Sequence, residues 1–333
     1  MKTIFFGTPE VAVPYLEILN RYTEVVLVVT QPDRPRGRGM VITPCPVKET
    51  ALKMGLKVLS PEKITDIEAD LKAAGADYGI AVAYGQILKQ HIIDIPKLGI
   101  VNIHFSLLPK FRGAAPVQHT LFAGETKTGV TAFWIDKGMD TGPVFAYKET
   151  DILPSEDAKT LFTKLISLGG ILLEDVIEYI RLGQIVKIPQ TKNIFTPQED
   201  GSMFKEELPL PTYAPMIKKE DTILDFNNFG AETFFNRVRG LACGPHAKVI
   251  TKINGKEDLL QIIKASLLEK NKQCPPNMPR GSVVSIENDG RILVKCYDSC
   301  IYIDIVRPAG KKDMTAASFA NGHKIKPGDV IFY

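Results

Sequence analysis

Hydrophobic and polar positions follow a repeating order in the first half of the chain. Short apolar runs bounded by turn residues predict buried strands, and amphipathic stretches between them predict helices. The predicted strands are residues 3–6, 25–30, 57–59, 78–83 and 99–103, with helices at 11–20, 47–54 and 67–74. This alternation is typical of an α/β fold with a doubly wound, mostly parallel sheet of the Rossmann-like kind.

The second half of the chain has a different pattern. Leucines three to four positions apart predict one long helix over residues 155–183, which closes a first domain of residues 1–183. Residues 184–219 are rich in proline and are interpreted as a linker. In residues 220–333, a helix at 231–239 precedes short strands at 247–253, 281–286, 292–296, 301–306 and 330–333. This spacing predicts a small C-terminal β-barrel of the OB-like type.

Two polar residues interrupt the last predicted strand of the first domain. Asn102 and His104 share one face of that strand, because side chains alternate between faces. A parallel strand buried on both faces should be apolar, and ligands bind at the carboxyl ends of such strands. About thirty residues later, Asp140 stands before Thr141-Gly142 and could join the same site.

These residue types suit acyl transfer. An amide and an imidazole can donate hydrogen bonds to a developing oxyanion, and a carboxylate can orient the imidazole and help to move protons. None of the three is a strong nucleophile, which favours direct transfer without a covalent enzyme intermediate. The alternative is structural: His104 would be a hydrogen-bonded core residue, and Asp140 would only form a turn.

The sequence around these residues resembles that of the folate-dependent formyltransferases. The matching segments are Asn102-x-His104, Ser106-Leu107-Leu108-Pro109, Arg112-Gly113-Ala114-Ala115-Pro116 and Asp140-Thr141-Gly142. The resemblance extends from Phe6-Gly7-Thr8-Pro9-Glu10 to Pro308-Ala309-Gly310-Lys311-Lys312, so it covers nearly the whole chain. It implies that residues 1–183 form the formyltransferase catalytic domain. Residues 220–333 are expected to contact tRNA, since barrels of the OB-like type commonly bind oligonucleotides.

The resemblance also implies substrates and residue roles. A formyl group would pass from 10-formyltetrahydrofolate to the α-amine of initiator methionyl-tRNA. Asn102 and His104 would hold the formyl oxygen as an oxyanion, while Asp140 would orient His104 and assist proton removal. Folate would be bound by two segments, which are Ser106, Leu107, Leu108 and Pro109, and the turn of Ala83, Tyr84, Gly85, Gln86 and Ile87, the latter chiefly through backbone groups.

Basic residues suggest where RNA binds. Arg34, Arg36 and Arg38 lie in a predicted long loop over residues 31–48, and the resemblance implies that this loop, through Arg38 above all, enters the tRNA acceptor stem. Residues 245–333 contain 14 Lys or Arg against 9 Asp or Glu, within a chain whose net charge is +3. Both features could bind phosphates. Alternatively, the loop is a solvated charged segment and the basic surface only favours solubility.

Several function classes are disfavoured. Gly7 lacks the second and third glycines of a dinucleotide-binding loop, so NAD binding is not expected. Five cysteines without CxxC spacing indicate neither a zinc site nor a disulfide framework, so we expect reduced thiols and no metal. No apolar stretch approaches the roughly 18 residues of a membrane span. Only two residues precede the first predicted strand, which leaves no room for a signal peptide, and a cytoplasmic monomer is expected.

Two alternative functions stay open. A formyltransferase acting on a sugar-nucleotide amine or on glycinamide ribonucleotide would use Asn102, His104 and Asp140 in the same way. The enzyme that formylates glycinamide ribonucleotide, however, resembles only the first domain of this chain. The enzymes that formylate sugar nucleotides have no evident need for the arginine loop. A non-catalytic RNA-binding protein is a third possibility, although it has no reason to bury two polar groups at a strand end.

Overall fold

The computed structural model describes residues 1–36, 41–190, 193–197, 203–207, 209–269 and 271–333. The chain divides into two compact units. The first unit comprises residues 1–116, 127–150 and 163–213, and the second comprises residues 117–126, 151–162 and 214–333.

Most of the first unit consists of strands and helices in alternation. The strands are β1 (Lys2–Gly7), β2 (Glu24–Val29), β3 (Arg34–Arg36), β4 (Val41–Thr43), β5 (Val58–Leu59), β6 (Tyr78–Val82), β7 (Ile100–His104), β8 (Lys127–Trp134), β9 (Val144–Asp151), β10 (Asn193–Pro197) and β11 (Met203–Glu207). The helices are α1 (Val13–Tyr22), α2 (Pro46–Lys53), α3 (Glu68–Ala74), α4 (Gln90–Ile93), α5 (Pro116–Phe122) and α6 (Ala158–Arg181), of which α5 lies largely in the second unit.

A seven-stranded sheet forms the centre of the first unit. Its strand order is β5-β2-β1-β6-β7-β8-β9. The pairs from β5 to β7 are parallel, whereas β8 runs antiparallel to β7. The predicted doubly wound, mostly parallel sheet is therefore confirmed. The strands β8 and β9 were not predicted, because threonine and glycine interrupt β8 and alternate polar residues make β9 look like a loop.

The long helix α6 begins as the sequence indicates. The Asp157 carboxylate accepts a hydrogen bond from the Thr160 amide at 2.9 Å, which satisfies a free N–H group of the first turn. Tyr15 of α1 is fully buried, and its hydroxyl donates to the Ile166 carbonyl of α6 at 3.1 Å. This bond ties α6 to the packed core of the first unit.

Two segments predicted to be irregular contain hairpins. The arginine loop includes the antiparallel pair β3–β4, with residues 37–40 outside the described part. The predicted linker includes the antiparallel pair β10–β11. Prolines within both segments weakened the strand signal, since proline is rare in strand interiors but tolerated at sheet edges.

The second unit is built on an antiparallel sheet. Its strands are β12 (Ala247–Ile253), β13 (Lys256–Leu267), β14 (Val283–Ile286), β15 (Ile292–Lys295), β16 (Cys300–Arg307) and β17 (Met314–Thr315), and its further helices are α7 (Ala231–Gly240) and α8 (Ala316–Gly322). The order is β12-β13-β16-β15-β14, with β17 paired to β16. The rings of Phe226, Phe234 and Phe332 stack in the core of this unit, with centroids 4.5 and 5.2 Å apart.

The chain segment after residue 329 connects the two edges of this sheet. Val330 bridges to Ser282, next to β14, and Phe332 bridges to Thr251 in β12. Gly281 adopts φ +75°, and any Cβ at this position would overlap the Phe332 carbonyl. The predicted strand at 330–333 is thus a pair of bridges rather than a regular strand. The sheet is curled into a half-barrel, which agrees with the predicted OB-like barrel.

One prediction about the cysteines was wrong. Cys274 and Cys300 form a disulfide, with Cα atoms 5.5 Å apart. They are separated by 26 residues, so no local spacing motif could reveal the pair. Cys45, Cys243 and Cys296 are free thiols. In the described residues no cluster of three or more His, Cys, Asp or Glu is arranged to hold a metal ion. Likewise, none of the described helices is long and apolar enough to cross a membrane.

Candidate active site

Asn102 and His104 lie where β7 reaches the carboxyl edge of the parallel sheet. Asn102 is opposite Ala81 of β6, and His104 is opposite Thr131 of β8. His104 is only 5% exposed, whereas Asn102 is partly exposed. The edge of the Phe133 ring packs against the imidazole at 6.3 Å. The amide of Asn102 is therefore accessible to a ligand, and the imidazole is fixed behind it.

Both ring nitrogens of His104 face acceptor atoms. Nε2 lies 3.0 Å from the Phe111 carbonyl, and because a carbonyl can only accept, Nε2 must carry the proton. Nδ1 of the neutral ring then presents a lone pair toward Asp140 Oδ2 at 3.7 Å. Burial lowers the pKa of His104, while the Asp140 charge and the Phe111 carbonyl oppose that shift. The imidazole is consequently neutral at pH 7 and can accept a proton on Nδ1.

Asp140 is held in place by hydrogen bonds and by an unusual backbone conformation. Its Oδ2 accepts a hydrogen bond from the Gly113 amide at 2.8 Å. Its φ of +53° lies in the left-handed region, which costs energy for a residue with a side chain. Two residues on, a Cβ at Gly142 would overlap the Trp134 carbonyl, so the glycine of Asp140-Thr141-Gly142 permits close backbone approach.

Left-handed backbone is concentrated at this site. In the described residues five non-glycine positions have positive φ. Three of them, Ala83 at +47°, Phe111 at +60° and Asp140 at +53°, belong to the segments that sequence analysis assigned to chemistry or surround His104. Strained backbone of this kind persists only where the surrounding structure imposes it, and it is common at functional sites.

The sequence analysis missed several residues that support His104 and Asp140. The Phe111 amide donates to Thr212 Oγ1 at 2.8 Å, and the Arg112 amide donates to the Thr212 carbonyl at 2.9 Å. The buried Arg112 guanidinium donates to Gln190, which in turn donates to the Asp140 carbonyl. Gln190 and Thr212 lie in the predicted linker, and no local pattern distinguishes them there.

The predicted folate segment is rigidly held against β8. Ser106 Oγ donates to the Lys110 carbonyl at 2.7 Å. Thr131 Oγ1 donates to the Ser106 carbonyl at 2.7 Å and accepts from the Leu108 amide at 3.1 Å. These contacts fix the path of residues 106–110 directly after His104. Leu107 and Pro109 lie in the same loop, whose Leu108–Pro109 peptide bond is cis.

The second predicted folate segment offers mainly backbone. The Tyr84 ring is buried edge-on to Phe6 at 5.6 Å, and its carbonyl accepts from Thr8 Oγ1 at 2.9 Å. The Gln86 amide oxygen accepts from the Ile64 amide at 3.0 Å. Gly85 adopts φ +86°, and Ile87 is 82% exposed. Apart from Ile87, the large side chains of this turn are engaged in internal contacts.

The arginines are described only in part. Arg34 Nη2 forms an ion pair with Glu62 Oε2 at 3.0 Å, and both side chains are more than half exposed. Arg36 is the last residue of β3, and its backbone pairs with Val41. Arg38, which carries the main tRNA prediction, lies outside the described residues.

Comparison with known proteins identifies the family to which the chain belongs. Residues 1–177 match the model of a family described as formyl transferase, and residues 216–324 match the C-terminal domain of formyl transferases. The chain therefore belongs to the formyl transferase family.

Relatives within this family are similar over almost their full length. The methionyl-tRNA formyltransferase of Thermodesulfovibrio yellowstonii is 40% identical over 98% of this chain and 97% of its own. That of Bacillus subtilis is 35% identical over 99% of this chain and 97% of its own. Among solved structures, HypX from Aquifex aeolicus in complex with tetrahydrofolic acid shares the fold, with a TM-score of 0.60 and 16% identity over all of this chain and 50% of HypX.

Proposed function

We propose that this chain transfers a formyl group from 10-formyltetrahydrofolate to the α-amine of methionine esterified to initiator tRNA, for translation initiation. The amide of Asn102 and the pair formed by His104 and Asp140, at one edge of the sheet, carry the chemical part of the proposal. Similarity over nearly the full length to relatives named methionyl-tRNA formyltransferase supports the acceptor.

The chemistry begins with the neutral amine attacking the formyl carbon. A carbon–nitrogen bond forms, and the formyl oxygen becomes an oxyanion. The amide of Asn102 donates a hydrogen bond to this oxygen. His104, which the resemblance also assigned to the oxyanion, has its Nε2–H group on the Phe111 carbonyl, so we assign it proton transfer instead. Such a donor, aimed at developing charge in a site with little water, is typically worth about 100-fold to 1000-fold in rate.

The amine must then lose a proton, and the neutral His104 ring receives it. Nδ1 is the vacant nitrogen, and the imidazolium that forms would lie between the Asp140 carboxylate and the Phe111 carbonyl. These two acceptors stabilise the positive charge that burial disfavours. The intermediate collapses when the bond from the formyl carbon to the folate nitrogen breaks. The proton goes to that nitrogen, so the products are formylated aminoacyl-tRNA and tetrahydrofolate.

We assign the binding of the two substrates to separate parts of the chain. Ser106 to Pro109, held by Thr131, would form one wall for the folate, and the backbone of Ala83 to Ile87 would form another. Arg38, with Arg34 and Arg36, would contact the acceptor stem. The excess of Lys and Arg in residues 245–333 would supply a second surface for RNA phosphates.

The test is to incubate the protein with 10-formyltetrahydrofolate and one acceptor at a time. The acceptors are initiator methionyl-tRNA, a sugar-nucleotide amine and glycinamide ribonucleotide, and Asn102→Ala serves as the background. We expect formylation of the aminoacyl-tRNA alone. Formylation of only the sugar amine or the ribonucleotide would assign the chain to another formyltransferase. RNA binding without formylation of any acceptor would contradict an enzymatic role.

A further inference from the structure

Gln190 lies nine residues after the end of α6, outside every motif that the sequence analysis singled out. We infer that Gln190 is a positioning residue, which holds Asp140 at its working distance from His104. The inference rests on the proposed function for its kinetic consequence. Its structural basis is a set of four hydrogen bonds that link the two loops on either side of the imidazole.

The four bonds use the whole hydrogen-bonding capacity of the Gln190 amide. Oε1 accepts from Arg112 Nε at 3.1 Å and from Nη2 at 2.7 Å. Nε2 donates to the Asp140 carbonyl at 3.0 Å and to the Gly142 carbonyl at 2.8 Å. A side-chain amide has two acceptor sites on oxygen and two donor hydrogens, so no capacity is left over.

These bonds complete a closed circuit around the site. Gln190 connects the Arg112 side chain to the Asp140 backbone, and the Asp140 carboxylate returns to the Gly113 amide at 2.8 Å. Arg112 directly follows Phe111, whose carbonyl accepts from His104 Nε2. The loop that holds His104 and the loop that presents Asp140 are thus joined both through the carboxylate and through Gln190.

The circuit accounts for the backbone of Asp140. With φ at +53°, Asp140 is in a conformation that most residues leave when they are free to do so. The hydrogen bond from Gln190 to the Asp140 carbonyl opposes that relaxation. If the bond were lost, the carboxylate could move away from Nδ1. A displacement of about 1 Å in an active site can lower the rate on the order of 100-fold.

Two substitutions separate the functions of the amide. Gln190→Glu keeps an acceptor for Arg112 and places a carboxylate beside the guanidinium, but an ionised carboxylate has no hydrogen to donate to Asp140 or Gly142. Gln190→Met has similar length and no charge, and it removes all four bonds. Leu165→Ala is the control, since it leaves a cavity at a fully buried position of α6, a helix that supplies none of the four hydrogen bonds.

The experiment combines steady-state kinetics with an NMR titration of the His104 ring, below the melting temperature of each variant. We expect kcat to fall at least about 10-fold in both Gln190 variants, with KM for either substrate changed less than about 3-fold. In Gln190→Met, the pKa of His104 should also fall, because the Asp140 carboxylate is the charged group that raises it. Leu165→Ala should lower only the melting temperature.

The inference is overturned if Gln190→Met matches Leu165→Ala, with lower thermal stability but unchanged kcat and unchanged His104 pKa. If Gln190→Met does not fold, Gln190→Glu decides, and a wild-type kcat there would overturn the inference. The titration needs no substrate. An enzyme that fails to formylate methionyl-tRNA but shows the pKa shift would therefore contradict the proposed function and leave the positioning role supported.

Discussion

Two polar regions of the first unit are built in opposite ways. The loops around His104 and Asp140 are partly buried, contain left-handed backbone and are joined by hydrogen bonds through Gln190 and Gly113. The β3–β4 hairpin exposes Arg34, and the ion pair of Arg34 with Glu62 is open to solvent.

This difference in rigidity matches the tasks that we propose for the two regions, catalysis and RNA binding. Proton transfer and oxyanion stabilisation require atoms fixed to within a fraction of an ångström, and each buried hydrogen bond costs about 1–3 kcal/mol when one partner is removed. An exposed ion pair is worth only about 0–1 kcal/mol, so the arginine hairpin can exchange it for a phosphate at little cost. Variants in the loops should change the rate, and variants in the hairpin should change the affinity for RNA.

The largest effect should come from Asn102→Ala. If this amide holds the formyl oxygen as we propose, its removal should lower kcat on the order of 100-fold to 1000-fold. The affinity for tRNA, measured by filter binding, should change little, because the uncharged Asn102 is not among the basic residues that we assign to RNA. A variant with wild-type kcat and weakened tRNA binding would show that Asn102 contributes to RNA affinity and not to catalysis.

Asp140→Asn should have the next largest effect, a loss of roughly 100-fold in kcat. The pKa of His104 is already lowered by burial, and the Asp140 charge opposes that shift. Removing the charge should therefore lower the pKa further and move the acid limb of the kcat/KM profile, as far as His104 sets it, to lower pH. The NMR titration of the imidazole checks the direction. An upward shift in pKa would show that the carboxylate does not act on His104.

His104 also contributes to acid sensitivity of the fold. Because its folded pKa lies below its ordinary value, the unfolded chain binds a proton first as the pH falls. Stability should be complete above the ordinary pKa and decline as the pH drops from there toward the folded value. Denaturant unfolding at a series of pH values, compared with His104→Gln, measures this contribution. An identical pH dependence in the two proteins would exclude it.

Arg38→Ala should have a moderate effect that is confined to RNA. We expect affinity for methionyl-tRNA to fall about 10-fold at low salt, with the slope of log K against log salt reduced by about 1. Binding of the folate should be unchanged, as measured by calorimetry. Equal activity at limiting tRNA concentration would contradict the predicted role of the loop.

The smallest effect should follow from breaking the exposed ion pair. Arg34→Ala should weaken tRNA binding by about 2-fold to 5-fold, because its charge is partly neutralised by Glu62. Glu62→Ala should leave binding unchanged or strengthen it, since it frees the guanidinium. If Glu62→Ala weakened binding, the ion pair would be needed to shape the hairpin, and the contrast with the rigid loops would be smaller than we propose.

Local sequence patterns predicted the parallel strands and α6, because apolar runs and leucine spacing reflect burial directly. They did not predict β8, β9 or β13, in which polar residues are frequent. In the site, Asn102 and His104 stood out as polar residues in an apolar strand. Gln190 could not be found in this way, because its partners Arg112 and Asp140 are 78 and 50 residues distant and only the tertiary fold brings them together.

The bridges from Val330 to Ser282 and from Phe332 to Thr251 also affect how this protein meets other chains. A free sheet edge presents unpaired amide and carbonyl groups that can capture a strand from a neighbouring molecule, which is a common route to aggregation. Here one segment occupies bonding positions on both margins of the antiparallel sheet. The same few residues that link the two sheet edges therefore make these edges less available for pairing with a strand of another molecule.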